Sequence, residues 1–403
     1  MAAANRDLIR AINRFSILNA IRNAKLISRV DIARSTGLSQ ASVTGITADL
    51  IRENLILEKS PGESIGGRKP ILLSLNPKGA IVVGVKLSIY EISIVIINFE
   101  ATIIGSHAVH LEKKAYSPEE TAEILARAVQ TCLWQENFSK DQISGIGIGL
   151  PGWVDSTSGM VRYMPNYQWE NANLKNLVEE KLDLPTFIEN DANTQAIAEQ
   201  WFGAGKGVEN FLVVTLEYGI GMGAVINGQL YRGQNGISSE FGHSIINIEG
   251  PQCRCGKRGC IEAMVGENAI LRDAGQAALS GHWKRKGEGV ITIEEVIQTA
   301  KAGEQNLRAI YSQAGIVLGV GITNLIQLYD PDKIIITGKS VLAGELLFKS
   351  MFETIPENLV ARSTSNTEII IQNWTYRDWA RGAGTVALQE IYKSPAHQMI
   401  PLI

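Results

Sequence analysis

Three cysteines fall within eight residues, as Cys253-Arg-Cys-Gly-Lys-Arg-Gly-Cys260, and His243 stands ten residues ahead of the first. So short a loop can bring its thiols together only by folding back on itself, and Gly256 and Gly259 allow that. Three thiolates and one imidazole satisfy a closed tetrahedral Zn²⁺ site. His243, Cys253, Cys255 and Cys260 are therefore the expected ligands, with Lys257 and Arg258 helping to keep the thiols ionised. No open position is evident, so the metal is expected to be structural rather than catalytic. A metal-free thiol loop or a redox switch is the alternative. With four Cys in 403 residues, a disulfide scaffold is excluded, and Cys132 reads as a core residue.

At about 100–200 residues per domain, 403 residues imply two or three domains. No apolar run reaches the ~18 residues of a membrane span. Arg6, Asp7 and Arg10 stand where a signal peptide needs an apolar stretch. A cytoplasmic protein without membrane insertion is expected.

Charge is divided unevenly. Residues 1–70 hold 11 Lys and Arg against 6 Asp and Glu, and the remainder holds 27 against 35. A basic head on an acidic body points to an anionic partner, a solvated helical face being the plainer reading. The pattern favours the first. A helix is predicted over 13–23, followed by two more separated by Gly37. Ala33, Gly37 and Val43 have the spacing of a helix-turn-helix. Ser39 is placed to cap the second helix of that pair. Val43, Ile46, Thr47 and Leu50 would then face inward, leaving Ser39, Gln40, Ala41, Thr44 and Gly45 toward DNA. Asn54 is expected to end the helix in a left-handed conformation. Residues 55–58 and 71–75 read as a wing, whose tip carries Arg68 and Lys69 for a minor groove. Arg29, Arg34, Arg52 and Lys59 are candidates for phosphates. A winged head used for protein contacts is the competing reading. One head binds weakly, so two half-sites and a homodimer or homotetramer are expected.

After Asn76-Pro77 the pattern becomes α/β, with two β-β-β-α-β-α sets in tandem: strands at 80–87, 91–98, 102–111, 143–150 and 186–189, then 211–216, 223–226, a short one near Gln229, and 333–337. Helices are expected at 118–135, 192–202, 291–302 and 306–329. Two similar lobes with a ligand cleft are implied. Glu240, His243 and Glu262 flank the cysteine loop, and Glu189, Asn190, Asp191 and Asn193 end a strand in the other set. Such carboxylates and amides suit a polyhydroxylated ligand. Singly, each could be structural: Asp191 a cap for the 192–202 helix, Glu262 a surface residue.

The stretches Glu240-Phe-Gly-His243 and Cys253-Arg-Cys-Gly-Lys-Arg-Gly-Cys-Ile-Glu262 resemble the signature of the ROK family (repressors, open reading frames, sugar kinases). With its head, the chain is similar to the sugar-responsive repressors of that family, of the xylose, Mlc and N-acetylglucosamine types. The resemblance implies a winged helix-turn-helix over 1–78 and a two-lobed actin-like ATPase fold. The lobes would be 79–195, joined by a helix near 380–393, and 196–379. It also implies sugar contacts at Asn166, Asn190, Asp191, Glu240, His243 and Glu262, with His243 giving one ring nitrogen to zinc and one to sugar. Operator DNA and a monosaccharide effector follow as partners, and a sugar-transport protein is a further one that the Mlc type allows.

Family kinases hold ATP on glycine-rich loops. Where they have Asp-x-Gly-Gly-Thr, this chain has Lys86-Leu-Ser-Ile-Tyr90. The second loop, Gly-Thr-Gly-Ile-Gly-Gly-Gly, becomes Glu217-Tyr-Gly-Ile-Gly-Met-Gly223, and a later Gly-Gly becomes Gly338-Lys339. Phosphoryl transfer rests on positioning and charge stabilisation, so these changes argue for a regulator and against a kinase. A sugar kinase fused to a DNA-binding head is the alternative.

Overall fold

The computed structural model describes residues 2–61, 70–113, 115–285, 287–360 and 366–392. Contacts divide the chain into two units, Met1–Thr194 with Tyr376–Ile403, and Gln195–Thr375.

The first unit opens with α1 (Ala2–Ala24), β1 (Ile27–Ser28), α2 (Arg29–Thr36), α3 (Gln40–Arg52), β2 (Ile56–Pro61) and β3 (Ile71–Leu75). The helix expected from Asn13 begins at Ala2. Ser28 caps α2 by accepting the Asp31 N–H at 3.2 Å, and Gly37 ends it at φ 70°. Ser39 caps α3 by accepting the Ser42 N–H at 3.2 Å. Val43, Ile46, Thr47 and Leu50 are the buried face of α3, as their spacing predicts. Asn54 takes φ 62°. The sheet order is β1-β3-β2, and residues 62–69, including Arg68 and Lys69, lie outside the described residues.

The same unit continues with β4 (Ile81–Leu87), β5 (Glu91–Asn98), β6 (Ile103–His110), α4 (Pro118–Gln135) and β7 (Gly145–Leu150). A small sheet of β8 (Trp153–Asp155), β9 (Met160–Met164) and β10 (Trp169–Ala172) follows, then α5 (Leu174–Leu182), β11 (Thr186–Asn190) and the start of α6 (Asp191–Phe202). The second unit holds β12 (Phe211–Leu216), β13 (Ile220–Ile226), β14 (Gln229–Leu230), α7 (Glu262–Val265), α8 (Glu267–Leu279), α9 (Ile293–Lys301), α10 (Gln305–Tyr329), β15 (Lys333–Thr337), α11 (Glu345–Asn358) and β16 (Glu368–Ile371). The chain then returns to the first unit as α12 (Tyr376–Tyr392), which starts four residues before its expected position.

The internal echo is a shared topology. The larger sheets run β6-β5-β4-β7-β11 and β14-β13-β12-β15-β16. In each, the first three strands pair antiparallel and the last two lie parallel to the first. Each sheet has its own core: Val83, Ile94, Ile146 and Ile148 with α4 and α5 in the first, Leu212, Val214, Ile334 and Ile336 with α10 and α11 in the second. Helix α10 is long and apolar enough to cross a membrane by length and composition. Its apolar residues Tyr311, Leu318, Ile322 and Ile326 are instead buried in the second unit's core.

Candidate functional site

In the second unit, a 3₁₀ turn at Phe241–His243 and the returning loop 252–260 bring the four expected ligands together. One donor atom from each of His243, Cys253, Cys255 and Cys260 lies within 4.8 Å of all the others. A tetrahedron with Zn–S of about 2.3 Å and Zn–N of about 2.0–2.1 Å has S···S edges near about 3.8 Å and S···N edges near about 3.6 Å. The cluster has Cys255 Sγ–Cys260 Sγ at 3.7 Å and Cys253 Sγ–His243 Nδ1 at 3.6 Å. The donor set therefore fits such an ion. Burial lowers the His243 pKa, which keeps a ring nitrogen available for a metal. Burial pushes the Cys260 thiol up to about 12, so a bound cation is what would ionise it.

Nδ1 of His243 faces the thiols, and Nε2 faces the Glu240 carboxylate at 3.9 Å. Glu262, expected as a ligand contact, opens α7 and is buried. Its Oε1 accepts from Arg254 Nε at 2.6 Å, and its Oε2 accepts from Arg254 Nη2 at 3.0 Å and from the Ile220 N–H at 3.1 Å. The alternative of a surface Glu262 does not hold. Burial alone would lower the Arg254 pKa, but the Glu262 carboxylate outweighs it and the pKa rises. Arg254 was not among the expected site residues; as a basic residue between two cysteines it resembled Lys257 and Arg258.

In the first unit, Asp191 is the first residue of α6, yet the cap is Asn190. Its Oδ1 accepts from the N–H groups of Ala192 at 2.9 Å and Asn193 at 3.2 Å, and its Nδ2 donates to the Gly152 carbonyl at 3.0 Å. Much of the Asn190 amide is thus engaged by the fold. Glu189 is buried and accepts from Asn193 Nδ2 at 3.0 Å. Asn166 is half-buried in the turn between β9 and β10.

Lys86 is the partner of Asp191. Its Nζ lies 2.5 Å from Asp191 Oδ2 and 4.1 Å from the centroid of the Trp379 ring. Two residues on, Ser88 Oγ accepts the N–H groups of Tyr90 at 3.1 Å and Glu91 at 3.0 Å, and the Ser88 carbonyl accepts from Tyr167 Oη at 3.0 Å. In the second unit, Glu217 Oε1 accepts the Lys339 N–H at 2.7 Å, and Lys339 Nζ pairs with Glu294 at 2.7 Å. Backbone donors of the kind that would cradle a phosphate are engaged by the chain's own oxygens in both units.

The outward positions of α3, from Ser39 through Gln40, Ala41, Thr44 and Gly45, are exposed. Arg29 is drawn into the head itself: Nε donates to Thr47 Oγ1 at 3.0 Å and Nη2 to Glu58 at 2.7 Å. Arg34 and Arg52 form exposed pairs with Asp31 and Asp49, of the kind that contribute little to stability and exchange readily.

Residues 83–390 match the ROK family profile. A xylose repressor of Caldicellulosiruptor bescii is 30% identical over 399 residues, covering 98% of this chain and 99% of its own. A crystal structure of a ROK family transcriptional regulator, a homologue of the E. coli Mlc protein, superposes with a TM-score of 0.81 at 27% identity, covering 96% of this chain and 97% of its own. A Streptomyces griseus ROK family glucokinase, solved with glucose and AMPPNP, covers 77% of this chain and 100% of its own, with a TM-score of 0.68 at 26% identity.

Proposed function

The chain belongs to the ROK family, and from that premise we propose that it is a sugar-responsive DNA-binding transcriptional regulator, a repressor of carbohydrate-utilisation genes. The observation that carries the reading is the match to a xylose repressor along the whole chain, head included. The head is read as a winged helix-turn-helix. Gln40 and Thr44 on α3 reach base edges, Ser39, Ala41 and Gly45 allow close approach, and Arg68 and Lys69 serve the wing. Arg29 is given a supporting role, orienting α3 against β2.

In the body, Asn166, Asn190, Asp191, Glu240, His243 and Glu262 are proposed as contacts for a monosaccharide. The cysteine loop is proposed to hold structural Zn²⁺, which supplies folding energy rather than chemistry. His243 Nε2 would then be fixed toward the sugar by the metal on Nδ1. The protein is proposed to act in the cytoplasm as a homodimer or homotetramer; a sugar-transport protein is a further candidate partner.

Catalysis is not part of this reading. The carboxylate of Asp191 is engaged by the Lys86 ammonium at 2.5 Å, and the chain lacks the glycine-rich loops on which family kinases hold ATP. The glucokinase likeness favours the competing reading, a sugar kinase with a DNA-binding head. Operator gel shifts titrated with hexoses, pentoses and N-acetyl sugars, run beside ATP turnover on the same sugars, separate the two. A sugar-dependent change in operator affinity with no turnover is expected, and a coupling of ~1–3 kcal/mol suffices. An operator complex indifferent to every sugar, or steady phosphorylation of one, refutes the regulator.

A further inference from the structure

We propose that Arg254 is a resident competitor for the sugar at Glu262, and that it makes this site selective for a ligand with two neighbouring hydroxyls. The inference rests on the reading of Glu262 as a sugar contact and adds the group that the sugar must displace.

The Glu262 side chain is 6% exposed, and both of its oxygens are satisfied. Arg254 covers them together, with Nε on Oε1 and Nη2 on Oε2. A guanidinium presents two parallel N–H donors to a carboxylate. Two adjacent hydroxyls of a sugar ring present the same number of donors to the same two oxygens. A lone hydroxyl replaces one of the two and leaves a buried anionic oxygen short of a donor. The ligand that can take Glu262 from Arg254 is therefore a vicinal diol.

The pair is built to open from the arginine side. Glu262 is held by the Ile220 N–H and by its place at the start of α7. Gly219 makes the space in which the pair forms: a Cβ there would lie 2.4 Å from Glu262 Oε2 and 2.6 Å from Arg254 Nη2. The Arg254 side chain is 33% exposed, over the Tyr218 ring at 5.9 Å. Its neighbours Cys253 and Cys255 belong to the metal cluster, so the backbone stays anchored on both sides while the side chain swings. Displacement by a sugar then moves a cation on the metal loop without dismantling the loop.

Calorimetric titration of monosaccharides and their single-deoxy analogues into the full-length wild type, Arg254→Gln and Arg254→Lys tests this. A sugar that binds the wild type is expected to bind Arg254→Gln roughly 10- to 100-fold more tightly, from the strength of hydrogen bonds to charged groups. The penalty for deleting one hydroxyl of the recognised pair should shrink in that variant. Arg254→Lys, which keeps charge but loses the fork, should lie between. Unchanged or weaker sugar binding by Arg254→Gln with metal content intact overturns the inference, as does an unchanged ranking of deoxy sugars. If no sugar binds even the wild type, the sugar reading itself fails and takes the inference with it. Should Arg254→Gln not fold, nitrogen-15 arginine spectra of the wild type decide. The Arg254 Nε–H resonance, assigned by its absence from Arg254→Lys, should shift on saturation with sugar, and a stationary signal overturns the proposal.

Discussion

Asp191 and Glu262 each face a cation supplied by their own unit, and the two pairs differ in where that cation sits. Lys86 lies within β4, 5% exposed, between Asp191 and the Trp379 ring. Arg254 lies on a loop and is one-third exposed, while its Glu262 is buried. A buried ammonium cannot leave its carboxylate without abandoning a charge in the core, which costs several kcal/mol. A loop arginine can exchange its carboxylate for water. The same charge chemistry thus makes a lock in the first unit and a latch in the second. What separates them is the burial of the cation, not the strength of the hydrogen bonds.

Metal removal is the harshest way to break the comparison. On the proposed reading of the cysteine loop as a zinc site, and with structural zinc contributing on the order of 10 kcal/mol in small domains, exhaustive chelation should unfold or loosen the second unit first. Hydrogen exchange is expected to rise around 241–262, taking the Arg254 latch with it, while β4 and α12 around Lys86 stay protected. Equal deprotection of both regions would mean that the two pairs share one cooperative fate.

The second test goes to the lock. Lys86→Met keeps the volume and removes the charge, leaving Asp191 at 18% exposure without its partner. Removing one member of a buried pair costs roughly 3–5 kcal/mol, and the partial exposure of Asp191 places the expected loss near about 3. Urea denaturation measures it. A cost below ~1 kcal/mol would show that Lys86 is no more bound to its place than Arg254.

Much of this was legible beforehand, and the boundary is physical. Local signals survived: the cap at Ser39, the buried stripe of α3, the cysteine spacing, and strands such as Phe211–Leu216, whose β-branched runs are buried on both faces. The small sheet β8–β10, helices α5, α7, α8 and α11, and strand β16 were missed. These segments are short or mixed in pattern, and tertiary packing rather than periodicity makes them regular. In sequence Lys86 reads only as the loss of an acid, because its partners, Asp191 and Trp379, lie 105 and 293 positions away in the chain. Arg254 was missed although its partner is only eight residues on, since nothing in a Cys-Arg-Cys stretch says which way the arginine turns. The sequence offers Asp191 as a cap where Asn190 does the capping; neighbouring Asn and Asp are equally good caps, and only the backbone path chooses.

The gentlest test uses a carboxylate with amides for partners where the other two have a cation. Glu199, on α6 in the second unit, is fully buried; its Oε2 accepts the Ala204 N–H at 2.7 Å, and its Oε1 accepts from the Gln372 amide. Burial raises its pKa to about 7, against which the amide donors pull only partway back. The folded state therefore holds this proton where the unfolded chain, with an ordinary carboxyl near about 4.3, has released it. Stability from this group is full at or below the unfolded pKa and declines as pH rises through 7, by up to about 3 kcal/mol in all. Glu199→Gln keeps the shape and removes the proton, so its denaturation profile should be flatter than wild type between pH 4.5 and 8. Parallel profiles would mean that amide donors alone hold a buried carboxylate as well as a cation does, and the distinction drawn between lock and latch would then lose its physical basis.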